Sequence, residues 1–121
     1  MTAPAADLVR YHAAQLAKAH RAFVRWHAYV DRICAPAAAA VQVLPAGTPT
    51  SEWTAVYSAA QEKARAAAGK APAMPSKNRK HQMYSDAYWV SLYVRGAGAA
   101  RPQNLDGIAD LLAEAKAAGL L

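Results

Sequence analysis

Acidic residues are scarce in this chain, cysteine is nearly absent, and no long apolar run occurs. Eight Asp and Glu stand against fourteen Lys and Arg, a formal charge of +6. Such an excess speaks of association with an acidic partner rather than of fold. The single cysteine, Cys34, excludes an internal disulfide and fits a reducing compartment. No basic N-terminal stretch leads into an apolar one, so no signal peptide is expected. No window reaches the ~18 consecutive apolar residues of a membrane span. A cytoplasmic protein without a membrane partner is the expectation. Large side chains are also few. Hydrophobic residues make up 55% of the chain, but much of that is alanine, so a core must rest on three Trp, six Tyr, one Phe and a few Leu, Val and Ile. Strand alternation and internal repeats are lacking, while Ala favours helix because it loses no side-chain entropy there. At 121 residues the chain reads as a single helical domain, 1–121, large enough for a core without staples.

Residues 5–34 contain neither Pro nor Gly and read as one long amphipathic helix. At about 100° per residue, Leu8, His12, Leu16, Ala19, Phe23, Trp26, Val30 and Ile33 share an arc of roughly 100°, with Tyr11 and Tyr29 on its edge. Arg10, Lys18, Arg21, Arg25 and Arg32 share another arc of roughly 80°, turned away from the first, and only Asp7 lies among them. The apolar arc is wide, as in a core-facing helix rather than a narrow coiled-coil seam. Surface helices usually alternate charge sign to gain i,i+4 pairs. Either these cations simply keep the helix soluble, or the row meets a polyanion, a reading that its one-sidedness supports.

The first helix is expected to stop by Ala35, because Pro36 disfavours helical geometry in the residue before it. Pro4 is tolerated in a first turn and Asp7 suits the helix dipole. Residues 36–50 hold three prolines and Gly47 and read as a partly ordered loop, in which 37–44 is able to form a short helix or an extended piece. A second helix is expected over Ser51–Ala68, capped by Thr50 or Ser51 and stopped by Gly69. Trp53, Val56, Tyr57, Ala60, Ala64 and Ala67 would line its inner face. Residues 70–81 carry Lys70, Lys77, Arg79, Lys80 and His81 with two prolines and no acid. They suit either a solvated loop or an arm that orders on phosphates. A third helix, about Asn78–Arg95, is apolar nearly all round, which places it mid-bundle or against another chain. Gly96 and Gly98 end it. Asn104 caps a fourth, with Asp106 and Lys116 matching its dipole, an apolar face of Leu105, Ile108, Leu111, Leu112 and Ala115, and Gly119 closing it. The fold class is all-α: a small bundle of four main helices led by a long amphipathic one.

Catalytic and metal signatures are not found. His20 and His27 lie about 10 Å apart along a helix, too far to share an ion, so the four histidines read as structural or surface groups. Cys34 would be a nucleophile only beside a base. The carboxylates show no paired spacing, and no phosphate loop, nucleophile elbow or zinc pattern appears. A non-enzyme without cofactor or metal is expected. Tyr84, Tyr88, Trp89 and Tyr93 are able to stack on bases, but at helical spacing they read as core. Recognition would then rest on backbone contacts by Arg10, Lys18, Arg21, Arg25, Arg32, Lys77, Arg79 and Lys80.

The row Lys18, Arg21, Arg25 and Arg32, the basic segment 77–80 and the aromatic helix 84–95 resemble the small subunits of CRISPR ribonucleoprotein effector complexes, a likeness of size and helix pattern over most of the chain. The connection at 36–50 has no counterpart in that likeness. The resemblance implies a non-catalytic protein of antiviral defence. Several copies would stack along a backbone filament and hold RNA or single-stranded DNA through phosphates. Partners would be nucleic acid and other subunits, copies of itself included. The alternative is a phage-type structural, adaptor or inhibitor protein acting through protein contacts, with aromatics as anchors. A free-standing DNA-binding regulator lacks a helix-turn-helix signature.

Overall fold

The opening rod continues well beyond its expected stop. A computed structural model describes residues 5–121, so Pro4 lies outside the described residues. It contains four helices, α1 (Ala6–Gln42), α2 (Thr50–Ala68), α3 (Lys77–Arg95) and α4 (Leu105–Ala117), and no strand among the described residues. The all-α architecture read from the sequence is the one observed.

Two corrections concern α1. Pro36 lies inside the helix, so neither the stop at Ala35 nor the loop from residue 36 holds. A helix-interior proline removes one hydrogen bond, here to the Arg32 carbonyl, and costs about 3 kcal/mol. The alanines at 37–40 are the best helix formers available, and burial of Ile33 and Ala37 on either side of the proline offsets the loss. The second correction is the phase of the apolar face. Leu8 is 53% exposed, whereas Val9 and Ala13 are fully buried. Buried or half-buried side chains recur every seven residues at Val9, Leu16, Phe23, Val30 and Ala37, and again at His12, Ala19, Trp26 and Ile33. A seven-residue repeat has a period of 3.5 and drifts about 20° per heptad against an ideal helix. A fixed 100° step therefore misplaces the stripe near the start of the helix.

The described residues gather into two compact units, one comprising the chain up to Val24 with Met74–Leu121, the other Arg25–Ala73. In the first, α1, α3 and α4 enclose Leu16, Met83, Val90, Ile108 and Leu111, with Leu120 folded back onto them. On α3 the buried positions Met83, Asp86, Ala87, Val90 and Ser91 follow helical spacing. Tyr84, Tyr88, Trp89 and Tyr93 are half-buried, in keeping with a core role. Ser76 Oγ accepts the Arg79 N–H at 3.1 Å, so α3 begins at Lys77 and most of the basic segment belongs to a helix rather than to an arm. Asn104 Oδ1 accepts the Gly107 N–H at 2.7 Å, as expected of a cap. A side chain at Gly107 would press on that oxygen at 3.3 Å and on Pro102, so glycine keeps the cap in reach. Arg95 joins α3 to α4 through a forked pair with Glu114, Nε to Oε1 at 3.0 Å.

The second unit is a helical hairpin. The Gln61 side chain donates to Cys34 Sγ at 3.7 Å, and the segment after α2 returns beside residues 25–32, so α2 runs antiparallel to the end of α1. Val56, Tyr57, Ala60, Gln61, Ala64 and Ala68 form its half-buried face, while Trp53 and Ala67 are exposed, which corrects two positions of the expected face. The expected cap at Thr50 or Ser51 is also absent: Pro49 occupies the N-cap, without a side-chain bond, and Thr50 opens the helix. Gly69 ends it at φ 75°, its N–H on the Arg65 carbonyl.

Candidate nucleic-acid interface

Seven of the eight cations expected from the sequence stand free. Lys18, Arg21, Arg25, Arg32, Lys77, Arg79 and Lys80 are exposed. None takes part in an ion pair among the described residues, where the pairs are Arg10–Asp7, His12–Asp86 and Arg95–Glu114. Arg10 is the exception. Its Nη1 lies 2.7 Å from Asp7 and its Nε donates to the Gly119 carbonyl at 3.5 Å, so it fastens the start of α1 to the end of the chain.

In the first unit, Lys18 and Arg79 line a shallow cleft of about 250 Å³ with Gln15, Gln82 and Asp86. Asp86 is only 2% exposed and bonded to His12 Nδ1 at 2.7 Å and Gln82 Nε2 at 3.2 Å. Lys77, Arg79 and Lys80 occupy the first turn of α3, which contains no acid. Arg21 is exposed on α1, outside this cleft.

In the second unit, Arg25 and Arg32 meet Lys70 around a cleft of about 610 Å³, with Tyr29, Ala28 and Pro72 among its walls and no acid. Tyr29 is half-buried and packs on Trp26 with ring centroids 5.7 Å apart. Tyr29 is not among the binding residues expected from the sequence, and Lys70 enters that expectation only as part of the cationic segment 70–81. The signal that finds Lys70 lies in Gly69: a stop there, followed by a chain reversing along an antiparallel partner, sets Lys70 level with the middle of α1.

The aromatics of α3 are already engaged. The Arg101 guanidinium carbon sits 4.1 Å from the Tyr88 ring centroid, a cation–π contact. Trp89 stacks near His12 with centroids 6.1 Å apart. His20 Nε2 bonds the Leu105 carbonyl at 3.0 Å, so two histidines serve internal bonds. Cys34 is half-buried beside Gln61 and Tyr57. The neighbouring thiol, chiefly by hydrogen bonding and then by electrostatics, pushes the Tyr57 phenol above its ordinary value. On Glu114, the hydrogen bond from Arg95 holds the carboxyl below the usual range against the opposing effect of burial.

Chemically, the cleft of the second unit offers positive charge and one flat ring, and the first unit offers its own exposed cations. Phosphates and stacked bases are the ligands such groups receive. No helix of the described residues is long and apolar enough to cross a membrane. No protein family, curated protein or solved structure matches this chain.

Proposed function

We propose that the chain is a non-catalytic subunit that grips the backbone of RNA or single-stranded DNA within a larger cytoplasmic ribonucleoprotein of the CRISPR effector kind. The observation that carries this reading is the set of seven exposed cations, Lys18, Arg21, Arg25, Arg32, Lys77, Arg79 and Lys80, without an acidic partner among the described residues. Cations placed for stability pair with acids or sit at helix C-termini. Lys77, Arg79 and Lys80 do the reverse, standing at the positive end of α3, where each is disfavoured by about 0.3–1 kcal/mol. A phosphate backbone turns that local cost into affinity, because each neutralised phosphate releases condensed counterions.

The test is charge reversal at Arg21→Glu with Arg25→Glu. Affinity for single strands should fall, and the slope of log K against log salt should lessen by about 0.7 for each phosphate no longer neutralised. A double variant that binds as tightly, with the same slope, would overturn the reading. Co-purification of nucleic acid, followed by absorbance before and after a high-salt wash, provides a first indication.

A second reading, a phage-type adaptor or inhibitor acting through protein contacts, draws support from exposed apolar side chains. Val43 is 82% and Met74 70% exposed, with Tyr11, Leu8 and Trp53 also open to solvent. Absence of nucleic-acid binding at low salt, together with assembly on a protein partner, would favour it.

A further inference from the structure

The cleft of the second unit has an internal order that plain backbone binding does not require. Arg25 and Arg32 are seven residues apart on α1, about 10 Å along its axis. Tyr29 falls between them, four residues after the first and three before the second, so all three share one side of the helix. Lys70 and Pro72, from the segment after α2, line the same cleft. The succession along α1 is cation, ring, cation, with a third cation lining the same cleft. A strand of nucleic acid has the matching succession of phosphate, base, phosphate.

We infer that this cleft seats one internal nucleotide of a single strand, its two flanking phosphates on Arg25 and Arg32, its base against the ring of Tyr29, and Lys70 closing over the backbone. The inference rests on the nucleic-acid reading proposed above and adds a base contact to it. A volume of about 610 Å³ falls within the range of small-molecule sites. The ring packs on Trp26, with centroids 5.7 Å apart and planes tilted by 37°. Lys70 has one other explanation, since it follows the C-terminus of α2, where the dipole favours a cation. Arg25 and Arg32 are mid-helix, where no dipole favours them, and their one other explanation is solubility of the helix. A duplex does not fit this arrangement, because its bases are stacked inside and offer no open face to a tyrosine.

The experiment is fluorescence anisotropy with a labelled oligothymidine strand, using the full chain, the variants Tyr29→Ala, Tyr29→Phe and Lys70→Ala, and a duplex of equal length and inorganic phosphate as competitors. Tyr29→Ala should weaken binding roughly 5- to 150-fold, the size of one base stack, and leave the salt slope unchanged. Tyr29→Phe should retain affinity, since the ring and not the hydroxyl stacks. Lys70→Ala, on an exposed connection where folding is not at stake, should reduce the slope by about 0.7. The duplex and phosphate should compete poorly. Wild-type affinity in Tyr29→Ala, an unchanged slope in Lys70→Ala, or full displacement by duplex or phosphate would each overturn the inference. In the first of these cases, a steep salt slope would leave backbone binding standing. A wild-type chain that binds no strand at all would remove both.

Discussion

The two units of this protein solve packing differently. The first closes three helices over side chains that are wholly enclosed, including Leu16, Val90, Ile108 and Leu111. The second is a hairpin in which Ile33 and Ala37 are buried and α2 buries no residue completely. Two helices touch along one line and leave most of each surface in water, so a hairpin cannot enclose what a three-helix arrangement can. Alanine at the contact brings the backbones close but removes little apolar area from solvent, and stability follows that area. What the second unit lacks in core it has in accessible chemistry: the Arg25, Arg32 and Lys70 cleft, Tyr29 and the exposed Trp53. Local stability is drawn from enclosed contacts, so α2 amides should exchange with deuterium before those of α3 and α4.

The sharpest way to break this contrast is a pair of core truncations. Leu16→Ala should cost about 3–5 kcal/mol in urea unfolding, because its cavity is lined on all sides. Ile33→Ala should cost about 2 kcal/mol, its surroundings being freer to collapse. Equal costs would show that the hairpin is as tightly held as the three-helix unit. Next in size is the buried polar pair. Asp86→Ala leaves the His12 ring, half-buried between Tyr11 and Trp89, without its partner and should cost about 2 kcal/mol, read from the melting temperature.

Pro36→Ala works in the opposite direction. It restores the hydrogen bond to the Arg32 carbonyl and should stabilise the second unit by about 1–2 kcal/mol, less than the full helix penalty because proline also restricts the unfolded chain. Slower amide exchange in α2, with that of α4 unchanged, is the expected record. The smallest effect concerns Glu114. Its carboxyl titrates below the ordinary range because Arg95 bonds its charged form, so its contribution is complete above the unfolded value, near 4.3. That contribution is lost as pH falls through the lowered folded value. The pair is partly exposed, so Glu114→Gln should cost at most about 0.5 kcal/mol at neutral pH. The variant's stability should change less steeply than wild type below about pH 4.

Helix ends were legible where a nearby side chain or glycine decides them. Asn104, Gly69, Gly96 and Gly119 mark their helices as expected, since a cap acts within a turn of its own position. Pro36 misled for the converse reason. Its local penalty is real, but Ile33 and Ala37 are buried around it, and that burial belongs to the hairpin rather than to the neighbouring residues. Leu8 and Val9 are one residue apart, and only the seven-residue rhythm of the whole rod shows which of them turns inward. Among the candidate residues, the cations of α1 read as a row in the sequence, and Arg10 was seen without its bond to Gly119. Lys70 could not be joined to Arg25 and Arg32 from spacing, because some forty residues separate them.

By itself the sequence determined the helical class, most helix ends and the surplus of positive charge, because propensity, capping and ionisation are settled by residue type and near neighbours. Tertiary structure alone decided that α1 passes through its proline, which stripe of it is enclosed, and that Lys70 lines one cleft with Tyr29. Those outcomes depend on apolar area and on convergence of distant segments, quantities that come into being only when a second surface arrives.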